Sequence, residues 1–570
     1  MLHLPLRNSA QLDQLIRVQS TPGSPQYHHF LTPAQFRNSF GPTSDTIARA
    51  TTALKSSGLA VTKVESQLLH VRGTTAAVER AFGTQLGVSR EPSGRTMLAA
   101  KSPINVSAPL AALGASVAGL AYHIQPQPLF QRVQQAPRQT PLNRFSPVGG
   151  YFFDDLKQAY DYPSYQVANG KGVTVATVGE SDFNTDDATA YFGYEKLGAG
   201  GLAPKPRIEH VLLPGAAPFN PATGISDEAD LDVQQVGGSA PGATVLGVSV
   251  GDPVEPFLQA YSYLDETNIA DIVSTSYGTC ELYYTAAYNG GTSQVDILQA
   301  YHDLFRQGNS QGITFVFSSG DLSGLGCFPL AYFGPGTGKI YHPIAGAGIW
   351  VDDPNATGVG GTNLQTTYKK GGKDSAYVAE TEIGNRILTP LDFYGTGNGI
   401  VDALFGSGGG VSTIFAKPAF QNRINTGYKT RAVPDVSMHM GGCPFYGPGV
   451  NVECQPTLDS YDLGVIGGQF FGLIGTSASA PEFAGLLAVK ESVTGSRAGN
   501  ENEDLYALAS RNAAGDYFHQ GIYAYNGVVY VPKGRLGYNT IVGVGTPLGR
   551  NFVGLPSVTA AGEPQTSTNP

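Results

Sequence analysis

The sequence predicts an α/β fold, a mainly parallel sheet wound on both faces by helices, preceded by a smaller α+β unit. Three observations lead there. From Gly172 onward, short strand-like runs alternate with stretches of helical periodicity, the pattern of parallel strands joined by crossover helices. Before Ile124 the order differs, with helices first and then several alternating strand runs, as in an α+β unit. Between the two, Gln125 to Pro147 is rich in Gln, Pro and Arg and has no periodicity, which reads as an exposed linker open to cleavage. The division expected is therefore 1–124, a linker 125–147, a large unit 148–556 and a flexible tail 557–570.

In the first unit, Gln11 to Val18 has the spacing of a short amphipathic helix. Thr32-Pro33-Ala34-Gln35-Phe36 reads as a capped helix start with proline at its first position, and Ser44 to Ser56 as another helix. Leu59 to Val64, Gln67 to Val71 and Ala118 to Ile124 alternate as strands, and Thr74 to Phe82 is helical. In the second unit, strands are expected at Gly172–Val178, Ala243–Val250, Asp271–Tyr277 and Gly312–Ser318. Helices are expected at Glu228–Val236, Val254–Leu264 and Val295–Gln307, the last with Val295, Leu298, His302 and Phe305 on one face. In such sheets reactive groups lie beyond the carboxyl ends of the strands. Asp321 stands there, three residues after Ser318.

Composition narrows the function. At 570 residues, 41% hydrophobic and 10% aromatic, the chain is long and apolar enough for a large core. It has no run of about 18 uninterrupted apolar residues, so no membrane span is expected. A formal charge of −10 (35 minus 45) without a basic stripe argues against a nucleic-acid partner. Only 14% of residues are charged, which keeps self-repulsion modest in acid. Met1-Leu2-His3-Leu4-Pro5-Leu6-Arg7 is not a basic-then-apolar leader; it reads as the interior of a precursor whose targeting segment is absent.

The chemistry centres on Gly475-Thr476-Ser477-Ala478-Ser479-Ala480-Pro481. Phe483, Leu486, Leu487 and Val489 recur at helical spacing, so a helix begins near Ser477. Pro481 fits near such a start, because the first four N–H groups of a helix have no internal partner. The same free N–H groups can hold an oxyanion. Read alone, the stretch is also what a capped core helix shows.

A serine nucleophile needs a base, and none of the ten histidines has a suitable setting. His28 and His29 are in the first unit, His302 is mid-helix, and His439 and His519 are in loops. Carboxylates are the alternative. Glu228 and Asp232 stand four apart on an expected helix and so project from one face. Two like charges so placed share one proton, and one pKa rises. The pair can take a proton from serine, or it can be an ordinary acidic helix face. Asp321, in Ser318-Ser319-Gly320-Asp321, is either a turn residue or a neutral acid able to donate a hydrogen bond to an oxyanion.

These residues resemble the sedolisins, serine-carboxyl peptidases of subtilisin-like fold that carry an activation prodomain, and the resemblance covers nearly the whole chain. Ser24 to Phe36 and Val78 to Thr84 resemble the prodomain of that family. Val359-Gly360-Gly361-Thr362, Ser407 to Ser412 and Arg431 to Val436 resemble blocks of its catalytic domain. The resemblance implies Ser477 as nucleophile, Glu228 as general base, Asp232 as its orienting partner and Asp321 as oxyanion donor. Ile474 departs from the family, which often has Ser or Gly there. The expectation is a secreted or otherwise extracytoplasmic zymogen, monomeric, that acts in acid on protein and peptide substrates. Its own prodomain is the expected inhibitor. The rivals are a proteolytically silent peptide-binding homologue and an exopeptidase of tripeptidyl-peptidase type.

The family generally holds a calcium ion near its C-terminus with two aspartates and backbone carbonyls, and this chain is expected to lack it. Gln520 and Asn539 occupy the two carboxylate positions, in Phe518-His519-Gln520-Gly521 and Gly537-Tyr538-Asn539-Thr540. Neither brings charge, and calcium affinity follows carboxylate count. Arg535 would place a cation beside the ion, and an amide network with Arg535 is expected to hold the loop instead; the alternative is that Asp516 supplies the charge. No other cofactor is expected. Four cysteines in an exported chain suggest two disulfides. Cys280 and Cys327 follow strands whose carboxyl ends meet if the strands are parallel neighbours, which leaves Cys443 and Cys454 to close a short loop.

Overall fold

The computed structural model describes residues 1–556 apart from 91–95, 121–123, 125, 130, 136–148, 199–202, 217, 220–225, 252–254, 290, 292, 370–373, 443–445, 448–449 and 454–457. The N-terminal unit is built on an antiparallel sheet in the order Ala60–Val64, Leu68–Arg72, Leu2–His3, Ser116–Val117. Helices Ser44–Ser56 and Thr75–Phe82 pack on it, and Leu2, Leu54, Leu69 and Phe82 form its core. Thr32 caps helix Pro33–Ser39, with a reciprocal bond from its own N–H to Gln35 Oε1 at 2.7 Å. The strand expected at Ala118–Ile124 lies earlier, at Ser116–Val117. Gly119 takes φ +91°, a left-handed turn that ends the extended run, and 121–123 fall outside the described residues.

In the large unit a ten-stranded sheet runs Arg207–Leu212, Thr244–Ser249, Thr174–Gly179, Ile272–Thr275, Thr314–Ser318, Thr357–Thr366, then continues through Tyr377–Ile383. The first six strands are parallel, in register Thr244 with Thr174, Ile272 with Val175 and Thr314, and Val316 with Thr357. The alternation read from sequence is there, with helices Asp227–Ser239, Pro256–Thr267 and Val295–Ser310 between strands. The sequence reading passed over helix Thr185–Tyr194 and strand Arg207–Leu212, an edge strand with an exposed, mixed composition. Helix Thr476–Thr494, the serine helix, is buried from Thr476 to Glu491. Helix Asp227–Ser239, the acid helix, packs beside it at very short range. A Cβ on Gly485 would stand 1.5 Å from Ser239 Oγ, so only glycine lets the two helices approach this closely.

The N-terminal unit sits on helices Pro256–Thr267 and Val295–Ser310. Gln67 bonds Gln307, the Leu31 N–H donates to Ser310 O, and Arg37 and Asp13 pair with Glu266 and Arg306. The linker departs from the expectation of a free loop. Gln127–Pro128 pairs antiparallel with Tyr277–Gly278, and Gln131–Gln135 pairs antiparallel with Gln469–Ile474. An extended segment bound through its backbone needs no apolar periodicity, so composition alone gave no sign of it. Cys280 and Cys327 are disulfide-bonded, with Cα atoms 5.2 Å apart, as the neighbouring parallel strands allow. Cys443 and Cys454 lie outside the described residues, as does 557–570. No described helix is long and apolar enough to cross a membrane.

Candidate active site

The four residues singled out by sequence meet at one place. Ser477 is the second residue of the serine helix and is fully buried. Pro481 is not within the first turn, as expected, but six residues in. Having no N–H, it leaves the carbonyl of Ser477, four residues earlier, without its helical donor. Ser276, which directly follows strand Ile272–Thr275, stands beside that carbonyl with its one proton committed to Asp232. Its hydroxyl lies 3.4 Å from that carbonyl and 2.6 Å from Asp232 Oδ1, to which it donates. Ser276 was missed in the sequence because a serine after a strand carries no signal of its own.

Glu228 and Asp232 are both buried on the acid helix. Burial, then the neighbouring Asp232 charge, pushes the Glu228 pKa well above the carboxylate range, with Asp321 and Asp227 adding to it. Burial also raises Asp232, against the Ser276 hydrogen bond that favours its charge. The pair therefore holds a proton where free carboxylates would have lost theirs. The Ser477 hydroxyl is near enough to Glu228 to oppose the rise, yet neither Glu228 oxygen has a hydrogen-bond partner of ordinary length. The hydroxyl donates instead to Ser276 O at 3.3 Å. No histidine is a hydrogen-bond partner of Ser477 among the described residues. His439 is buried, bonded to Thr362 O, and burial lowers its pKa to about 3, which leaves it neutral. His302 bonds Asp353, and His519 stacks on Tyr377.

Asp321 follows strand Thr314–Ser318. Its Oδ1 accepts from the Thr476 N–H at 2.7 Å and from the Thr476 hydroxyl at 2.9 Å, which ties it to the first turn of the serine helix. Burial raises its pKa to about 8 despite those two bonds. Its Oδ2 is buried with no partner. Between these groups lies the linker. The Leu129 N–H donates to Ser276 O, and the Ser477 N–H donates to Leu129 O, each at 3.0 Å.

The positions proposed for a calcium ion are otherwise engaged. The Gln520 amide nitrogen donates to Val544 O at 2.9 Å. Asn539 Oδ1 accepts the N–H groups of Ile541 and Val542, while the Asn539 and Gly543 backbones bond each other. Gly521 O accepts from Gly534, and Gly537 has a left-handed φ of +94°. These residues do not fit a calcium site: they offer no carboxylate, and Asn539 Oδ1 and Gly521 O already accept N–H donors. The amide half of the expected network is present, but Arg535 takes no part. Its side chain is exposed and makes no hydrogen bond or ion pair with the described residues. No cluster of His, Cys, Asp or Glu able to hold a metal occurs among the described residues.

Residues 1–122 match the pro-kumamolisin activation domain, and residues 217–545 match the subtilase family. Sedolisin of Pseudomonas sp. (strain 101) is 26% identical over 567 residues, 98% of this chain and 86% of that protein. Kumamolisin of Bacillus sp. (strain MN-32) is 25% identical over 86% of this chain and 79% of that protein. Tripeptidyl-peptidase 1 of Homo sapiens is 26% identical over 46% of this chain and 38% of that protein. The structure of Pseudomonas sedolisin complexed with two molecules of pseudo-iodotyrostatin covers 71% of this chain and 97% of that one, with TM-score 0.54 and 22% identity, which shows a shared fold. The chain thus belongs to the subtilase family of peptidases, as a sedolisin-type member that still carries its pro-kumamolisin activation domain.

Proposed function

We propose that the protein is an acid-acting serine-carboxyl endopeptidase that cleaves peptide bonds through an acyl-enzyme on Ser477 and is made as a self-processing zymogen. One observation carries the reading: a backbone carbonyl, that of Leu129, is held by the Ser477 N–H beside a serine, a proton-sharing acid pair and a neutral acid. In this reading Glu228 accepts the Ser477 proton during attack and returns it to the leaving amine. Asp232, tied to Ser276, holds the second carboxyl of the pair in place. Asp321 is protonated below about pH 8. Since Oδ1 already accepts two hydrogen bonds, its proton belongs on Oδ2, the unpartnered atom able to donate to an oxyanion together with the Ser477 N–H.

The groove supports an endopeptidase rather than a tripeptidyl-peptidase, because one chain lies through it as strands on both sides of Leu129. The intact set of four residues speaks against a silent peptide-binding homologue. Residues 1–124 act as inhibitor and 125–147 as the cleaved linker, ahead of a monomeric catalytic unit at 148–556 that works outside the cytoplasm on proteins and peptides. Calcium is not required. The deciding test is hydrolysis of an unfolded protein at about pH 3 to 5 by the wild type and by Ser477→Ala. Loss of about a thousandfold or more in a variant that melts normally is expected; undiminished cleavage by Ser477→Ala overturns the proposal.

A further inference from the structure

Three hydrogen-bonded segments fix the register of the linker through the groove. On the amino side of Leu129, Gln127 and Pro128 pair with Gly278 and Tyr277. At Leu129 itself, the N–H is bound by Ser276 O and the carbonyl by the Ser477 N–H. On the carboxyl side, Gln131 and Arg132 pair with Ile474 and Leu473, the strand that runs directly into Ser477. A slip of one residue would break all three sets at once, because side chains and bonding groups alternate along an extended chain. The carbonyl presented to the serine is therefore that of Leu129 and no other.

The Leu129 side chain enters a pocket bordered by Cys280, Ala347, Ile349, Phe393 and Tyr394, with Asp321 at its edge. Leu129 is 8% exposed and packs on Gly278, where a Cβ would stand 3.0 Å from Leu129 Cδ1. Leu129 does not fill the pocket but forms one of its walls, so a larger ring has room. The aromatic walls and the neutral Asp321 make the pocket hostile to a carboxylate.

We propose that the first bond this enzyme cuts is its own Leu129–Phe130 bond, within the same molecule, and that its pocket selects leucine or a larger apolar side chain on the acyl side of any substrate. The proposal rests on the peptidase reading above and adds the bond and the specificity to it. The Ser477 oxygen adds to the Leu129 carbonyl carbon as the hydroxyl proton passes to the Glu228–Asp232 pair. The bond to the Phe130 nitrogen then breaks, and that nitrogen takes the proton and leaves as an amine. Water hydrolyses the Leu129 ester, which restores Ser477 and leaves a carboxyl group on Leu129.

The test uses the full chain, purified near neutral pH and then acidified, with new termini read by mass spectrometry over time. Phe130 is expected as the first new N-terminus, with a first-order rate unchanged over a hundredfold range of protein concentration. Leu129→Phe should process within about threefold of wild type, and Leu129→Asp at least about thirtyfold more slowly at this bond. The mature enzyme should show the same preference on synthetic peptides of sequence 124–135 carrying Leu, Phe or Asp at position 129. A first cut elsewhere, a rate proportional to concentration, or equal processing of Leu129→Asp overturns the inference while the peptidase reading stands. A chain that cuts neither itself nor an added unfolded protein overturns both.

Discussion

Glu65 and Asp303 lie under the seam between the N-terminal unit and the catalytic unit, and both sit among cations. Glu228, Asp232 and Asp321 lie at the serine helix among hydroxyls, backbone amides and one another. Burial alone would raise the Glu65 pKa, but His70 at 2.9 Å, Lys63 at 2.5 Å and the Ser262 hydroxyl together hold it below its ordinary 4.5. At Asp303, His3, His302 and Arg306 likewise outweigh burial and hold the pKa below 3.8. The site acids go the other way, with Asp321 at about 8 and the Glu228–Asp232 pair well above the carboxylate range. The two groups therefore answer acid with opposite signs. What Glu65 and Asp303 contribute is complete above their ordinary pKa values and is lost as pH falls through the lowered ones. What Asp321 contributes is complete below about 4 and is lost as pH rises toward 8. The site acids thus already hold their proton in the pH range where Glu65 and Asp303 begin to lose their charge.

The sharpest way to break this comparison is Glu228→Gln. If the raised pKa reflects a base waiting in apolar surroundings, the variant loses about 10²- to 10⁴-fold in peptide hydrolysis. It should also melt higher than wild type at pH 8 and about the same at pH 4, since the buried acid no longer has to stay protonated. Equal melting shifts at both pH values would mean that Glu228 carries no proton-linked cost. Asp321→Asn should slow hydrolysis by about ten- to a thousandfold and remove the fall in rate expected of wild type as pH rises through about 8. A variant that retains that fall places it in another group.

Gly485→Ala tests the spacing of the two helices that carry Ser477 and Glu228. Its Cβ meets Ser239 Oγ, so a loss of about 1 to 3 kcal/mol in urea unfolding is expected, with reduced activity in the surviving folded enzyme. Glu65→Gln removes two ion pairs inside the N-terminal unit and weakens the Ser262 contact across the seam. In an uncut Ser477→Ala precursor, hydrogen exchange in helices Pro256–Thr267 and Val295–Ser310 should rise at a pH about half a unit higher with Glu65→Gln than without it. The smallest expected effect is none: chelator followed by millimolar calcium should leave the melting curve in place, and a marked rise would show that Gln520 and Asn539 still build a working site.

Most of this architecture was legible because it rests on periodic patterns. The alternating strands and helices from Gly172 to Ser318 were readable, and so was the i, i+4 placement of Glu228 and Asp232. The features that escaped have in common that backbone makes them. Ser276 matters because its hydroxyl binds Asp232 while standing beside the Ser477 carbonyl, a contact that joins residues some two hundred positions apart. The linker gave no signal because strand addition uses amides that every sequence has. Pro481 itself was placed one turn too early, since a proline is compatible with a helix start but does not mark it. The Arg535 contact failed for a different reason: a long exposed side chain is held by no packing, so sequence proximity to Asn539 does not decide where it points.

The disulfide between Cys280 and Cys327 gives the fold around the Leu129 pocket a dependence on its surroundings that has nothing to do with protons. Cys280 lines the pocket, Gly346 beside it has its Cβ space taken up by Cys327 Sγ, and the bridge closes 47 residues of chain. A loop of that length restricts the unfolded chain by about 4 kcal/mol in the entropic account of such links. In a thiol-rich medium that restriction goes, and the folded state as a whole loses that stabilisation. The redox state of the compartment in which the chain folds therefore bears on the stability of the whole fold, through a bond that involves neither Ser477 nor its acids.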